Sequence, residues 1–196
     1  MDLGHQAPRG PRVRTDIVDV YVFRVLREGA GDARADAPGS GASAASRVEF
    51  LQLLRREAPM AGTWHPVMGH VEVDAAGAGE TAVACAVREA REEVGLDVRG
   101  PACLGLWALE ELHPYFVAAL DCVLCSPRFA AQVRPEWSPR LDGAEHSAWR
   151  WVSAAEAAGE AHAELAFLWP GQRAAAREVL EAIVNPRSRV RDLLRV

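Results

Sequence analysis

The stretch from Arg88 to Leu96, REAREEVGL, sets three carboxylates, Glu89, Glu92 and Glu93, within five residues and then stops at Gly95. On a helix, Glu92 and Glu93 lie three and four residues beyond Glu89, so the three share one face and can approach one another closely. A solvated helix tolerates such crowding. Like charges at this spacing cost about 0.2–0.5 kcal/mol per pair, and Arg88, four residues before Glu92, offsets part of it. The same cluster also suits a hard divalent cation, which takes oxygen ligands, keeps several waters and is shared with substrate phosphates. Glu80, just ahead of the segment, brings a fourth carboxylate to the same element.

The element that must carry these groups is legible in its apolar residues. Val83, Val87, Ala90 and Val94 recur at steps of four, three and four, which is one stripe of an α-helix over 81–94. Thr81 suits its N-cap and Gly95 a left-handed C-terminal cap. Upstream, Asp16–Leu26 and Arg47–Arg55 read as two strands that pair most simply as a hairpin. The small, Gly-rich segment between them, 29–46, lacks the apolar surface to order itself and is expected to be a flexible loop. Residues 1–14, rich in Pro, Gly and Arg, are expected to be a mobile arm.

Downstream, PACLGLWAL and YFVAALDCVLC each read as a strand, SAWRWVS as a short strand, and SAAEAAGE as a brief helix opened by Ser153. Residues 171–184 form a second amphipathic helix closed by Asn185 and Pro186. Strands with two segregated helices point to an α+β fold with a mixed sheet, in a single domain over 15–196.

Composition limits the partners. The 196 residues, 49% hydrophobic, suffice for one core, and a net charge of −5 gives no basic field for nucleic acid. All 22 basic residues are Arg, so a phosphate contact from a basic side chain must come from Arg. No run approaches the roughly 18 apolar residues of a membrane span, and no secretory leader is visible, so the chain reads as cytoplasmic. The four cysteines, Cys85, Cys103, Cys122 and Cys125, read as free thiols, since the one CxxC pair has no second pair to complete a zinc site.

From Glu80 onward the chain resembles the Nudix box. That pattern runs Glu, seven residues, Arg-Glu, an apolar residue, any residue, Glu-Glu, any residue, Gly, apolar. Glu80, Arg88, Glu89, Ala90, Glu92, Glu93, Gly95 and Leu96 all fall in register. The glycine that should stand six residues before Glu80 is replaced by Asp74. Gly69 is its equivalent, implying about five extra residues in between. LLRREAPMAGTWHPVMGHVE before the box, and EHSAWRWVSAAEA and WPGQRAAAREVL after it, resemble the dATP pyrophosphohydrolase and dihydroneopterin triphosphate pyrophosphatase branch.

The resemblance implies an α/β/α sandwich with a mixed sheet between helices. It implies Mg²⁺-dependent cleavage, with Mn²⁺ as a possible substitute, of a nucleoside or pterin triphosphate to monophosphate and pyrophosphate. Other diphosphates (ADP-ribose or a dinucleoside polyphosphate) and a non-catalytic nucleotide sensor are the alternatives. By matching positions, Glu89, Glu92, Glu93 and Glu145 would hold metal, and Glu89, Glu92 and Glu145 would act in catalysis. His146 is an alternative proton acceptor. Gly69, Glu80, Arg88 and Gly95 would shape the box. Arg55 or Arg56 would clamp a phosphate, only one of them because strand alternation sends them to opposite faces. Trp64 would pack near the base, while Trp149 and Trp151 read as core. The expected partner is a small phosphorylated molecule, with no nucleic acid or membrane, and the protein a monomer or homodimer.

Overall fold

The protein's structure is a computed structural model that describes residues 10–26, 48–58, 60–141 and 143–196. The expected flexible loop, 29–46, lies outside them, as do residues 1–9. Arg12–Arg14, expected in the mobile arm, instead form strand β1, paired in parallel with Cys122–Leu124.

Ile17–Val25 form β2, the organising strand. Its alternating residues feed two different cores. Val18, Val20 and Val22 face one side, while Tyr21 and Phe23 face the other. Val48–Arg55 form β3, antiparallel to the far end of β2. Trp64–His65 (β4) pair with β3, and Val67–His70 (β5) pair with the near end of β2. The β4–β5 segment thus enters where β2 and β3 diverge.

Ala82–Val94 form helix α1. Thr81 accepts a hydrogen bond from the Ala84 amide, and Gly95, at φ 69°, ends the helix in the left-handed region. Cys103–Ala108 (β6), Tyr115–Val117 (β7), Cys122–Leu124 (β8) and Arg128–Val133 (β9) follow. The apolar run YFVAALDCVLC is therefore a hairpin rather than one strand, turning through a 3₁₀ segment to Asp121 at φ 44°. An aspartate tolerates that conformation better than most residues. Strand β9, parallel to β2, lies outside the strands expected from the sequence.

His146–Ser153 form β10, antiparallel to β3, and lead directly into the short helix α2, Ala154–Ala157, opened by a capping box between Ser153 and Glu156. Pro170–Glu178 form α3, continued by a wider π-helical stretch over Val179–Val184. The main sheet runs β10-β3-β2-β9-β6, with α1 and the Val stripe on one face and α2 and α3 on the other. This is the mixed-sheet α/β/α sandwich expected. Trp151 packs at the α1-side core, with Arg24 over its ring at 4.3 Å. Trp149, read as core, is 38% exposed. No helix among the described residues is long and apolar enough to cross a membrane.

Candidate active site

Gly69 on β5 lies directly against Glu89 on α1. A β-carbon built at Gly69 would fall 1.8 Å from the Glu89 carboxyl carbon, so glycine here leaves the space that the Glu89 side chain occupies. The next residue of the chain, His70, offers its carbonyl to Arg88 at 2.8 Å.

Arg88 is the hub of the cluster. Nη2 donates to Glu80 at 2.6 Å, and Nη1 donates to Glu89 at 2.7 Å and to Glu92 at 2.9 Å. One planar fork thereby fixes three carboxylates at once. Glu80 also accepts from the Glu72 amide at 3.0 Å, and its Arg88 partner holds its carboxyl below the usual range. Glu80 thus ties the start of α1 to the strand before it.

The segment between Gly69 and Glu80 closes on itself. Val73 bridges Gly79, the Asp74 amide donates to the Ala78 carbonyl, and the Asp74 side chain accepts from the amides of Ala76 and Ala78. Asp74 to Ala78 are therefore looped out. Glu80 comes back beside Glu72, its amide donating to the Glu72 carbonyl.

The three glutamates of the helix differ in burial. Glu92 is exposed, Glu89 is nearly buried and Glu93 is only 4% exposed. Burial raises the pKa of Glu89 despite the opposing charge of Arg88. Burial raises that of Glu93 much further, and the charges of Glu89 and Glu145 add to it, while the Met68 backbone and Arg55 oppose. Neither Glu93 oxygen has a hydrogen bond among the described residues, and the Nε2 of His146 stands 4.0 Å away.

Glu145, just before β10, is half exposed and reaches Arg55 at 3.9 Å. Arg56 turns the other way, donating to the Gly143 carbonyl at 2.8 Å. Of the arginine pair, Arg55 is the one on the carboxylate side. One face of the Trp64 ring is covered by the Arg150 guanidinium, 4.1 Å from its centroid. His65 and His146 pack with ring centroids 5.1 Å apart behind Glu93. The Nδ1 of His65 donates to the Pro66 carbonyl at 2.6 Å, and burial lowers its pKa to about 4.

The divalent cation implied by the sequence resemblance can be tested against these donors. Among the described residues no three His, Cys, Asp or Glu side chains already converge as a ligand set, and Arg88 holds the outer oxygens of Glu89 and Glu92. The donor chemistry nevertheless fits. Glu93 buries two oxygens that accept no hydrogen bond among the described residues, Glu89 and Glu145 lie near enough to raise its pKa, and a hard cation would satisfy such oxygens.

A second set of polar groups, on the opposite face of the sheet, escaped the sequence reading. Asp19 on β2 and Arg128 on β9 line a cavity with Tyr115 and Trp169. The available signal was Asp19 itself, an acid inside the otherwise apolar run IVDVYVF.

A family model described as the NUDIX domain matches residues 42–170. Among curated proteins, none matches the chain in sequence. Solved structures do match in fold. A Listeria monocytogenes protein assigned as a NUDIX hydrolase is 22% identical, with a TM-score of 0.55, covering 85% of this chain and 92% of its own. A Caenorhabditis elegans Ap4A hydrolase complex is 21% identical, TM-score 0.53, covering 84% and 94%. The Escherichia coli dihydroneopterin triphosphate pyrophosphohydrolase is 23% identical, TM-score 0.51, covering 84% and 97%. At these identities the likeness is one of fold.

Proposed function

The chain belongs to the NUDIX family of hydrolases acting on phosphoric anhydride bonds, and we propose that it is a Mg²⁺-dependent pyrophosphohydrolase of a nucleoside or pterin triphosphate. The observation that carries this reading is the Glu89–Glu93 pair: two largely buried carboxylates on one helix face, opposite a glycine that leaves room for them. Family members generally use a divalent metal. We assign Mg²⁺, because an all-oxygen donor set with substrate phosphates completing the shell suits it.

Glu89, Glu92 and Glu93, with Glu145, would hold the cation, which when bound neutralises the phosphate charge and lowers the barrier to attack by water. Arg88 keeps Glu89 and Glu92 oriented. Arg55, beside Glu145, meets the phosphate chain with its fork. Glu145, the most exposed carboxylate of the set except Glu92, is placed to accept the proton of the attacking water, with Glu89 as the alternative acceptor. The products would be the monophosphate and pyrophosphate.

Incubation with Mg²⁺ and a panel of the four dNTPs, dihydroneopterin triphosphate, ADP-ribose and diadenosine polyphosphates tests the reading. Pyrophosphate release from a triphosphate is expected. Cleavage confined to ADP-ribose or a dinucleoside polyphosphate, or no turnover at all, would overturn it.

A further inference from the structure

The cavity across the sheet from the glutamates has a volume of about 350 Å³. Its floor carries Asp19 and Arg128, neighbours in register on the parallel strands β2 and β9, and only 4% and 3% exposed. These two do not close into a hydrogen-bonded pair. Arg128 Nε stands 3.7 Å from Asp19 Oδ2, which accepts instead from the Tyr21 hydroxyl at 3.3 Å. Asp19 Oδ1 and Arg128 Nε and Nη1 are buried with no hydrogen-bond partner among the described residues. A buried ion pair that served the fold alone would satisfy those atoms, because leaving them unpaired is costly. Two oppositely charged residues that line a cavity and carry buried polar atoms with no hydrogen bond among the described residues are the arrangement of a recognition surface.

We propose that this cavity binds the heterocycle of the substrate and that Asp19 and Arg128 select a 2-amino-4-oxo edge, the edge shared by guanine and pterin. Such an edge presents a ring N–H and an amino N–H side by side, which a carboxylate accepts together, next to a carbonyl oxygen that a guanidinium meets. Adenine offers one donor beside a ring acceptor, cytosine one donor beside two acceptors, and thymine a single N–H between two carbonyls. None of these fills the same acceptor and donor set.

The surroundings agree with a flat ligand. Tyr115 and Trp169 lie nearly parallel at the cavity, 17° apart with centroids at 5.7 Å, and supply an aromatic face. Gln172 is already committed, accepting from the Trp169 amide and facing the Met68 sulfur, so it fixes the start of α3 over the cavity rather than reading the ligand.

The cavity also adjoins the carboxylates. Asp19 pairs in register with Met68, and the next residue along β5 is Gly69, against Glu89. The two sites therefore lie one residue apart on opposite faces of β5, which pairs only with β2 among the described strands. A phosphate chain crossing the open edge of β5 would join them.

This proposal rests on the reading of the protein as a triphosphate pyrophosphohydrolase, but its test needs no turnover. The full chain, kept in EDTA, is titrated with dGMP, dIMP, dAMP, dCMP, TMP and unphosphorylated pterin, following Trp fluorescence and heat. Binding of dGMP or pterin at least about tenfold tighter than dIMP, which lacks only the 2-amino group, is expected. Which of the two binds tighter identifies the source of the edge. The preference should vanish in Asp19→Asn, and Trp169→Ala should weaken all ligands together. Equal affinity for dGMP and dIMP, tighter binding of dAMP, or no binding of any of them would overturn the proposal. Mg²⁺-dependent pyrophosphate release measured in parallel reports on the carboxylate site separately, so either reading can fail alone.

Discussion

Gly69 and Glu89 touch so closely that the structure has no room for a methyl group between them: a β-carbon on Gly69 would overlap the carboxyl group of Glu89. This contact sets where the glutamate stands relative to β5. Gly69→Ala should therefore displace Glu89 or separate α1 from the strand. A shift of about 1 Å at a reacting centre can cost about 100-fold in rate, and a loss of that order in kcat is expected with the folded spectrum retained. Steady-state kinetics beside circular dichroism checks it. An alanine variant with unchanged kcat would mean that the contact does not position the acid.

Arg88 makes demands that lysine cannot meet. Its fork reaches Glu80, Glu89, Glu92 and the His70 carbonyl from one planar group, whereas an ammonium is a single point of charge. Arg88→Lys should lower metal affinity or kcat/KM by about 10- to 100-fold, the usual effect of losing a group that orients metal ligands. Isothermal titration with Mn²⁺ and a kinetic comparison would detect it, and parity of the two proteins would contradict the hub role.

The hairpin excursion between Val73 and Gly79 should be dispensable. Its hydrogen bonds are internal to Asp74–Ala78, and the Glu72–Glu80 contacts that seat α1 lie below the bridge. Replacing Asp74–Ala78 by Asn-Gly, which suits a two-residue turn, should change stability by no more than about 1 kcal/mol. Chemical denaturation measures this directly. A collapse of stability would show that the tip contributes contacts of its own.

His65 predicts a pH dependence with a definite sign. Its folded pKa is about 4 against an ordinary 6.5, chiefly because the ring is buried. As pH falls below 6.5 the unfolded chain takes up a proton that the folded protein refuses. This contribution to stability is complete above 6.5 and is lost progressively down to about 4. By pH 5 the loss should be about 2 kcal/mol. Denaturation curves at pH 7.5 and 5 in EDTA should show a smaller drop for His65→Gln than for the parent protein. Equal drops would remove His65 as the cause.

Local signals carried much of this into the sequence. Thr81, the Val stripe and Gly95 marked α1 because caps and periodicity are written in neighbouring residues, and the structure places that helix over Ala82–Val94. β2 and β3 were legible for the same reason, being dense in β-branched and aromatic side chains. The β7–β8 hairpin was not, since only Asp121 interrupts its apolar run. Nor was β9, a short segment whose place beside β2 depends on pairing across more than a hundred residues. Alternation separated Arg55 from Arg56, but the choice between them needed Glu145 brought alongside by β10. Asp19 and Arg128 are a still clearer case. Each is an isolated charge in sequence, and their meaning appears only when the parallel register of β2 and β9 sets them side by side.

The central claim is that the glutamates of α1 work through a divalent cation, and Glu93 tests it most directly because both of its oxygens are buried without a hydrogen bond among the described residues. Pyrophosphate release from the preferred triphosphate should be measured against Mg²⁺ concentration for the parent protein and for Glu93→Gln, with folding followed by circular dichroism. The expected result is turnover that requires Mg²⁺ in the parent and falls by at least about 100-fold in the folded variant. Turnover that persists in EDTA, or a folded Glu93→Gln protein as active as its parent, would contradict the account.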